Sequence, residues 1–155
     1  MKPTSEFCRS RATEGELANH LVLCDPEFVP PLSSRVDISK YAHKIYVNAT
    51  RFEAWAEGEL VGLVAIYCND TSHRVAYITS VSVLRTMQGK RIASQLMERC
   101  LEYLRDHHFE YVALEVDKKN GIARQMYERR GFTAGKSTGR SVVMGLILGK
   151  TVQDG

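Results

Sequence analysis

The stretch Val81 to Cys100, VSVLRTMQGKRIASQLMERC, contains a turn whose side chains are suited to hold an anion. Gln88-Gly89-Lys90-Arg91 supplies donors and two cations but no acid, whereas helix starts ordinarily favour Ser, Thr, Asp or Asn at the N-cap. A helix N-terminus leaves its first amide N–H groups unpaired and carries the positive end of the peptide dipole. With glycine allowing close backbone approach, a phosphate or pyrophosphate would supply the missing acceptor. On local features alone, a surface loop with solvated cations fits equally well.

Other groups offer less. Cys8, Cys24, Cys68 and Cys100 show no CxxC pairing and no histidine at metal spacing, so no metal site is expected. Cys68 and Cys100 belong to apolar patterns and read as small core residues. GFTAGKS, Gly131 to Ser137, has three residues where the phosphate loop of nucleotide hydrolases needs four, and it leads from a helix toward a strand. His107-His108 closes a helix and reads as solvated surface.

These residues need a scaffold, and 155 of them suffice for one domain, residues 1–155, with its own core. A composition of 44% hydrophobic and 25% charged residues excludes global disorder, and a net charge of +3 among 18 acids does not mark a nucleic-acid binder. No apolar run reaches a membrane span, and MKPTSEFCRS lacks a signal-peptide core, so a cytoplasmic chain with no membrane partner is expected.

EFCRSRAT predicts a short first strand, and Glu14 to Leu23 a helix with Leu17, Leu21 and Val22 inward. DPEFVPPLSSR holds three of the four prolines and predicts a stiff, extended loop. Asp37 or Ser39 then caps a second helix to Asn48, with Ile38, Tyr41, Ala42 and Ile45 on one side. Two strands flank Glu57-Gly58, and Val75 to Val83 alternates as another. Ile92, Ala93, Leu96, Met97, Cys100, Leu101 and Leu104 fall at helical spacing. YVALEV is a strand on which Glu115 shares a face with Tyr111 and Ala113, opposite Val112, Leu114 and Val116. Asn120 to Arg130 is a helix with Ile122, Ala123, Met126 and Tyr127 inward, stopped by Gly131. SVVMGLIL makes the last strand, and the tail frays over 150–155. The order predicts an α+β fold, a mixed sheet covered by helices.

VSVLRTMQGKRIASQLM followed by LEVDKKNGIARQMYERRGF resembles the acetyl-coenzyme A site of the GNAT acetyltransferase superfamily. Gln88, Ile92 and Ala93 fit that family's turn, while Arg91 stands where its motif has a glycine. Any residue there in a right-handed helical conformation still presents its N–H to a phosphate, and arginine is tolerable if its side chain points outward or useful if it reaches a phosphate. Asn120, Ala123, Tyr127, Gly131 and Phe132 hold the spacing of the second motif.

The resemblance implies a central, mostly antiparallel sheet of about six to seven strands with a splayed parallel pair, flanked by about four helices. It implies acetyl-coenzyme A as cofactor, and direct attack by a primary amine within a ternary complex. Backbone groups of Val81, Ser82 and Val83 would pair with the pantetheine arm. Amides and side chains of Gln88, Gly89, Lys90, Arg91, Ile92, Ala93 and Ser94 would hold the pyrophosphate. Asn120 and Ala123 would meet the pantetheine, and Tyr127 would lie near the thioester sulfur.

Within that frame, Tyr127 is the candidate acid for the leaving thiolate or else a core aromatic. Glu115 is the candidate base or else an acid bonded to the loop around Asn120. Arg35 could grip an acceptor carboxylate or phosphate, with Tyr77 and Thr79 lining the floor, although capping by Ser33, Ser34 or Asp37 explains part of that loop without a substrate. The near-neutral composition leans toward a small-molecule amine over a protein or peptide amine. A non-catalytic acyl-coenzyme A binding module is the alternative from another class, and relatives in this family are often homodimers.

Overall fold

In the computed structural model, residues 5–149 are described. The tail expected to fray over 150–155 lies outside them. Strand β1 (Glu6–Arg9) leads to helix α1 (Glu14–Cys24). Thr13 caps α1: its hydroxyl accepts from Glu16 N at 3.1 Å, while Glu16 accepts from Thr13 N at 2.9 Å. That reciprocal box fixes the helix start. Two short 3₁₀ turns, Asp25–Glu27 and Leu32–Ser34, break up the proline-rich loop. Asp37 then caps α2 (Ile38–Asn48) through Lys40 N.

Strands β2 (Thr50–Ala56) and β3 (Glu59–Tyr67) form a hairpin. Its two-residue turn has Glu57 and Gly58 at φ 51° and 76°, the pairing that matches strand twist. Then come β4 (Val75–Val83), α3 (Ile92–Asp106), β5 (Tyr111–Asp117), α4 (Gly121–Arg129), β6 (Thr133–Thr138) and β7 (Ser141–Ile147). The seven strands lie in the order β1-β2-β3-β4-β5-β7-β6. Only β4 and β5 run parallel; the other neighbours are antiparallel.

Each sheet face buries its own apolar cluster. Leu17, Leu21, Ala42 and Ile45 of α1 and α2 pack on Trp55, Leu60, Leu63 and Ala65. On the other face, Ile92, Leu96, Met97 and Cys100 of α3 and Tyr127 of α4 join Ala54, Val64, Ile66, Val112 and Leu114. Gly62 lets α3 press close. A Cβ there would stand 2.7 Å from Ile92 Cγ2 and 3.1 Å from Leu96 Cδ1. The start of α3 is therefore seated against β3.

Three expectations need correction. Val22 is more than half exposed, and His20 and Cys24 face inward with Leu17 and Leu21; the buried stripe is 17, 20, 21 and 24, which follows the 3.6-residue period more closely. Ile122, expected inward, is 87% exposed. It stands in the first turn of α4, before the helix descends onto the sheet. The strand β6 has no counterpart in the sequence reading. All six of its residues are exposed, so no alternation marks it.

Candidate functional site

The site begins with a break in the sheet. Strands β4 and β5 pair only from Val75↔Tyr111 to Ile78↔Leu114. On β3, Ile66 faces Ile78 and its neighbour Ala65 faces Ser80, so Thr79 is an extra residue on β4. Such a bulge bends a strand and sharpens its twist. From Thr79 to Val83, β4 stays with β3 and leaves β5, presenting an edge that β5 does not pair.

A cleft of about 1380 Å³ opens there. Tyr77 to Val83 of β4, Glu115 to Asp117 of β5, the starts of α3 and α4, and the loop carrying Phe28, Pro30 and Arg35 line it. This gathers Arg35, Tyr77, Thr79, Val81, Ser82, Val83, Gln88, Gly89, Arg91, Ile92, Ala93, Ser94, Glu115, Asn120, Ala123 and Tyr127 around one space. Lys90 is exposed and does not line it.

Helix α3 enters the cleft without a side-chain cap and without an acid in its first turn. Its N-cap residue, Arg91, has φ 63° and ψ 22°. That corrects the right-handed backbone expected for it. A left-handed residue with a side chain costs roughly 1–2 kcal/mol, and Gly89 two positions earlier is left-handed as well, at φ 82°. The structure thus gives a physical reason for glycine at this turn, and shows arginine held in glycine's conformation. The amides of Ile92, Ala93 and Ser94 follow, at the positive end of the helix dipole.

Neighbouring side chains brace this turn. Gln88 Nε2 donates to Val83 O and to Glu27 Oε1, both at 3.3 Å. Arg130, at the end of α4, donates to Ser94 Oγ and, at 3.3 Å, to Glu98 Oε1. Its Nε is buried without a hydrogen-bond partner among the described residues. Sequence reasoning missed Arg130, since a cation after a helix end ordinarily reads as solvated. Asn120 caps α4, its Oδ1 accepting from Ala123 N at 3.3 Å, and the residue lines the cleft.

Hydroxyls gather at the bulge. Tyr41 donates to Thr79 O at 2.6 Å and lies 2.8 Å from Thr79 Oγ1. Ser80 is among the residues lining the cleft, and its Oγ is buried without a hydrogen-bond partner among the described residues. An unsatisfied buried hydroxyl is unfavourable unless a guest completes it. The uncapped helix start and the strand edge that β5 does not pair together suit a long ligand carrying phosphates at one end and amides along its length.

Two titratable groups face this space. Tyr127 is buried, its ring centroid 5.8 Å from that of Phe132. Burial pushes its phenol up to about 12, so its proton is retained at neutral pH. Glu115 is exposed to the cleft on β5. The Tyr77 phenol is raised first by burial and then by the Glu115 charge, with Arg35 opposing. Glu115 and Arg35 therefore flank Tyr77 with opposite charges. Burial pushes the Cys24 thiol up to about 12 and raises Cys100, which keeps both protonated and unreactive. Among the described residues, no group of three or more His, Cys, Asp or Glu is placed to hold a metal, and no helix is long and apolar enough to cross a membrane.

Residues 16–132 match the model of the acetyltransferase (GNAT) family. The chain is 31% identical over 131 residues to the N-alpha-acetyltransferase MAK3 of Arabidopsis thaliana, covering 82% of this chain and 66% of that protein. It thus spans slightly less than two thirds of that relative. Among solved structures, the ribosomal-protein-S18-alanine N-acetyltransferase of Escherichia coli is similar with a TM-score of 0.78 at 16% identity, over 97% of this chain and 98% of that one. The PaiA N-acetyltransferase of Thermoplasma acidophilum, in complex with coenzyme A, gives a TM-score of 0.72 at 12% identity, over 93% and 99%. At such identities these two structures speak for the fold.

Proposed function

Because the chain belongs to the GNAT acetyltransferase family, we propose that it transfers an acetyl group from acetyl-coenzyme A to a primary amine. The observation that carries this reading is the uncapped start of α3 beside the stretch of β4 released from β5. When bound, acetyl-coenzyme A supplies an acetyl group activated as a thioester. The chain's residues do the rest. Amides of Ile92, Ala93 and Ser94 hold the pyrophosphate, assisted by Arg91 and Arg130. The free edge of Val81 to Val83 pairs with the pantetheine, and Asn120 donates to it. Glu115 takes the proton that the acceptor ammonium must lose before nitrogen attacks the carbonyl carbon. As the carbon–sulfur bond breaks, Tyr127 gives its proton to the departing sulfur.

For the acceptor, we infer the α-amine of a peptide or protein. Support comes from the MAK3 relative, which is named an N-alpha-acetyltransferase. A second reading, the small-molecule amine expected from composition, is favoured by the opposite charges of Arg35 and Glu115 that act on Tyr77 in the cleft, which suit an acceptor with its own carboxylate. A thiol-release assay separates them, using peptides with varied first residues, free amino acids and simple amines. Turnover on peptides supports the first reading, and turnover only on small carboxylated amines the second. Coenzyme A binding without turnover on any amine returns the chain to a regulatory acyl-coenzyme A module. A cytoplasmic setting belongs to the same proposal.

The left-handed Arg91 gives a separate test. Arg91→Gly removes the backbone strain and should raise stability by about 1 kcal/mol or less, after allowing for glycine's greater unfolded freedom. Coenzyme A affinity should stay close to wild type, since amides and dipole do most of the holding. Arg91→Glu should weaken it, most clearly at low salt. Equal coenzyme A affinity for all three proteins at low salt, measured by calorimetric titration, would remove the pyrophosphate from this turn.

A further inference from the structure

His20 lies on the inner face of α1, 1% exposed. Its Nδ1 is 2.9 Å from Leu60 O and its Nε2 is 2.9 Å from Ser82 Oγ. A carbonyl can only accept, so Nδ1 carries the proton and donates it, and Nε2 accepts from the Ser82 hydroxyl. Both ring nitrogens are satisfied by the neutral imidazole. Burial lowers the pKa of His20, which keeps it in that form. Cys24 Sγ, 3.6 Å from Nε2, completes the polar pocket one turn along the helix.

The two bonds reach two strands at the places where the sheet departs from regular pairing. Trp55 faces Leu60 and Ala54 faces Gly62, so Val61 is an extra residue on β3, and the carbonyl that His20 holds is its neighbour's. Ser82 belongs to the part of β4 that has left β5, and it lines the cleft. On its β3 side, Ser82 pairs with Leu63. Helix α1 supplies the partners of the Ser82 side chain, the His20 ring at 2.9 Å and the Cys24 thiol beside it. An apolar residue at position 20 would fill the same space on the Leu17, Leu21 and Cys24 face; the imidazole adds the links to Leu60 O and to Ser82. We propose that His20 is a positioning residue for the acyl donor, holding the released end of β4, through Ser82, at the separation from β5 that the pantetheine arm requires. The inference rests on the reading of the cleft as the donor site.

Coenzyme A is titrated calorimetrically into wild type, His20→Phe, His20→Gln, Ser82→Ala and the His20→Phe/Ser82→Ala double variant. Melting curves confirm that each is folded at the working temperature. Loss of the tether should weaken coenzyme A binding by about three- to tenfold in His20→Phe and in Ser82→Ala. His20→Gln retains an acceptor for the Ser82 hydroxyl and should recover most of that loss. The double variant should be no weaker than His20→Phe, because both changes cut one link. Turnover of His20→Phe and His20→Gln at saturating acetyl-coenzyme A should stay within about twofold of wild type, as His20 touches no reacting atom, while KM for the donor rises in His20→Phe. Unchanged affinity in folded His20→Phe and Ser82→Ala, or losses that add in the double variant, overturns the coupling. A wild-type chain that binds no coenzyme A overturns the donor-site reading, and this inference with it.

Discussion

Replacing Tyr127 by phenylalanine is expected to lower kcat on the order of a hundredfold, the usual scale for loss of a general acid, while coenzyme A affinity stays near wild type. Only the hydroxyl is removed. The ring, packed against Phe132, keeps its shape, so a fall in kcat is a loss of chemistry and not of packing. The phenol, pushed by burial up to about 12, fits the acid role proposed for it. At neutral pH a phenol of this kind cannot serve as a base, because its proton is not released; it can serve as an acid toward a thiolate. The sign also sets the pH dependence. The protonated form persists through the ordinary phenol range and is lost only as pH rises toward 12. No alkaline decline of kcat below about pH 9 should therefore trace to Tyr127. Steady-state kinetics on the best amine from the acceptor panel reads both quantities. Wild-type turnover in the variant would return Tyr127 to a core aromatic, with water supplying the proton.

How far the site was legible follows from what each residue shows in one dimension. The donor-rich turn and the Asn120 to Phe132 spacing are matters of residue type and order, and both are visible along the chain. The release of β4 from β5 was expected only through family resemblance; its local cause, the extra residue Thr79, depends on pairing with β3 and leaves no trace in an alternating pattern. Arg91 shows the limit differently. Residue type argued against a left-handed backbone there, and the turn adopts it anyway, with φ 63° and ψ 22°. His20 was hidden by its type. A histidine among apolar residues at helical spacing reads as surface until a buried carbonyl and hydroxyl are found opposite both nitrogens. Arg130 and Ser80 were hidden for the same reason, since their partners, or lack of them, exist only in the fold.

Glu53→Ala is expected to have the largest effect on stability. Glu53 is wholly buried in β2, a position where a carboxylate survives only if every lone pair is used. Oε1 accepts from Arg11 N, Ala12 N and Trp55 Nε1, each at 3.0 Å, while Oε2 accepts from Arg51 Nε at 3.0 Å and from Ala12 N at 3.1 Å. Arg51 is buried too, and its other donors reach Tyr46 O and Ala12 O. Removing the carboxylate strands a guanidinium, two amides and an indole N–H out of water. Breaking a buried pair from one side costs about 3–5 kcal/mol, which for a chain of this size lowers Tm by about 10 °C or more. The damage should also reach the cleft. Arg11 and Ala12 lead directly into α1, so Glu53 seats the helix that carries His20. Glu53→Gln, which keeps the shape and one acceptor, should lose less than Glu53→Ala. Thermal melts of both variants, with and without coenzyme A, test this. A Glu53→Ala protein melting within about 2 °C of wild type would show that the buried network can be replaced by water or by rearrangement. A large fall in Tm with coenzyme A affinity intact below the melt would show that α1 keeps its seat without the carboxylate.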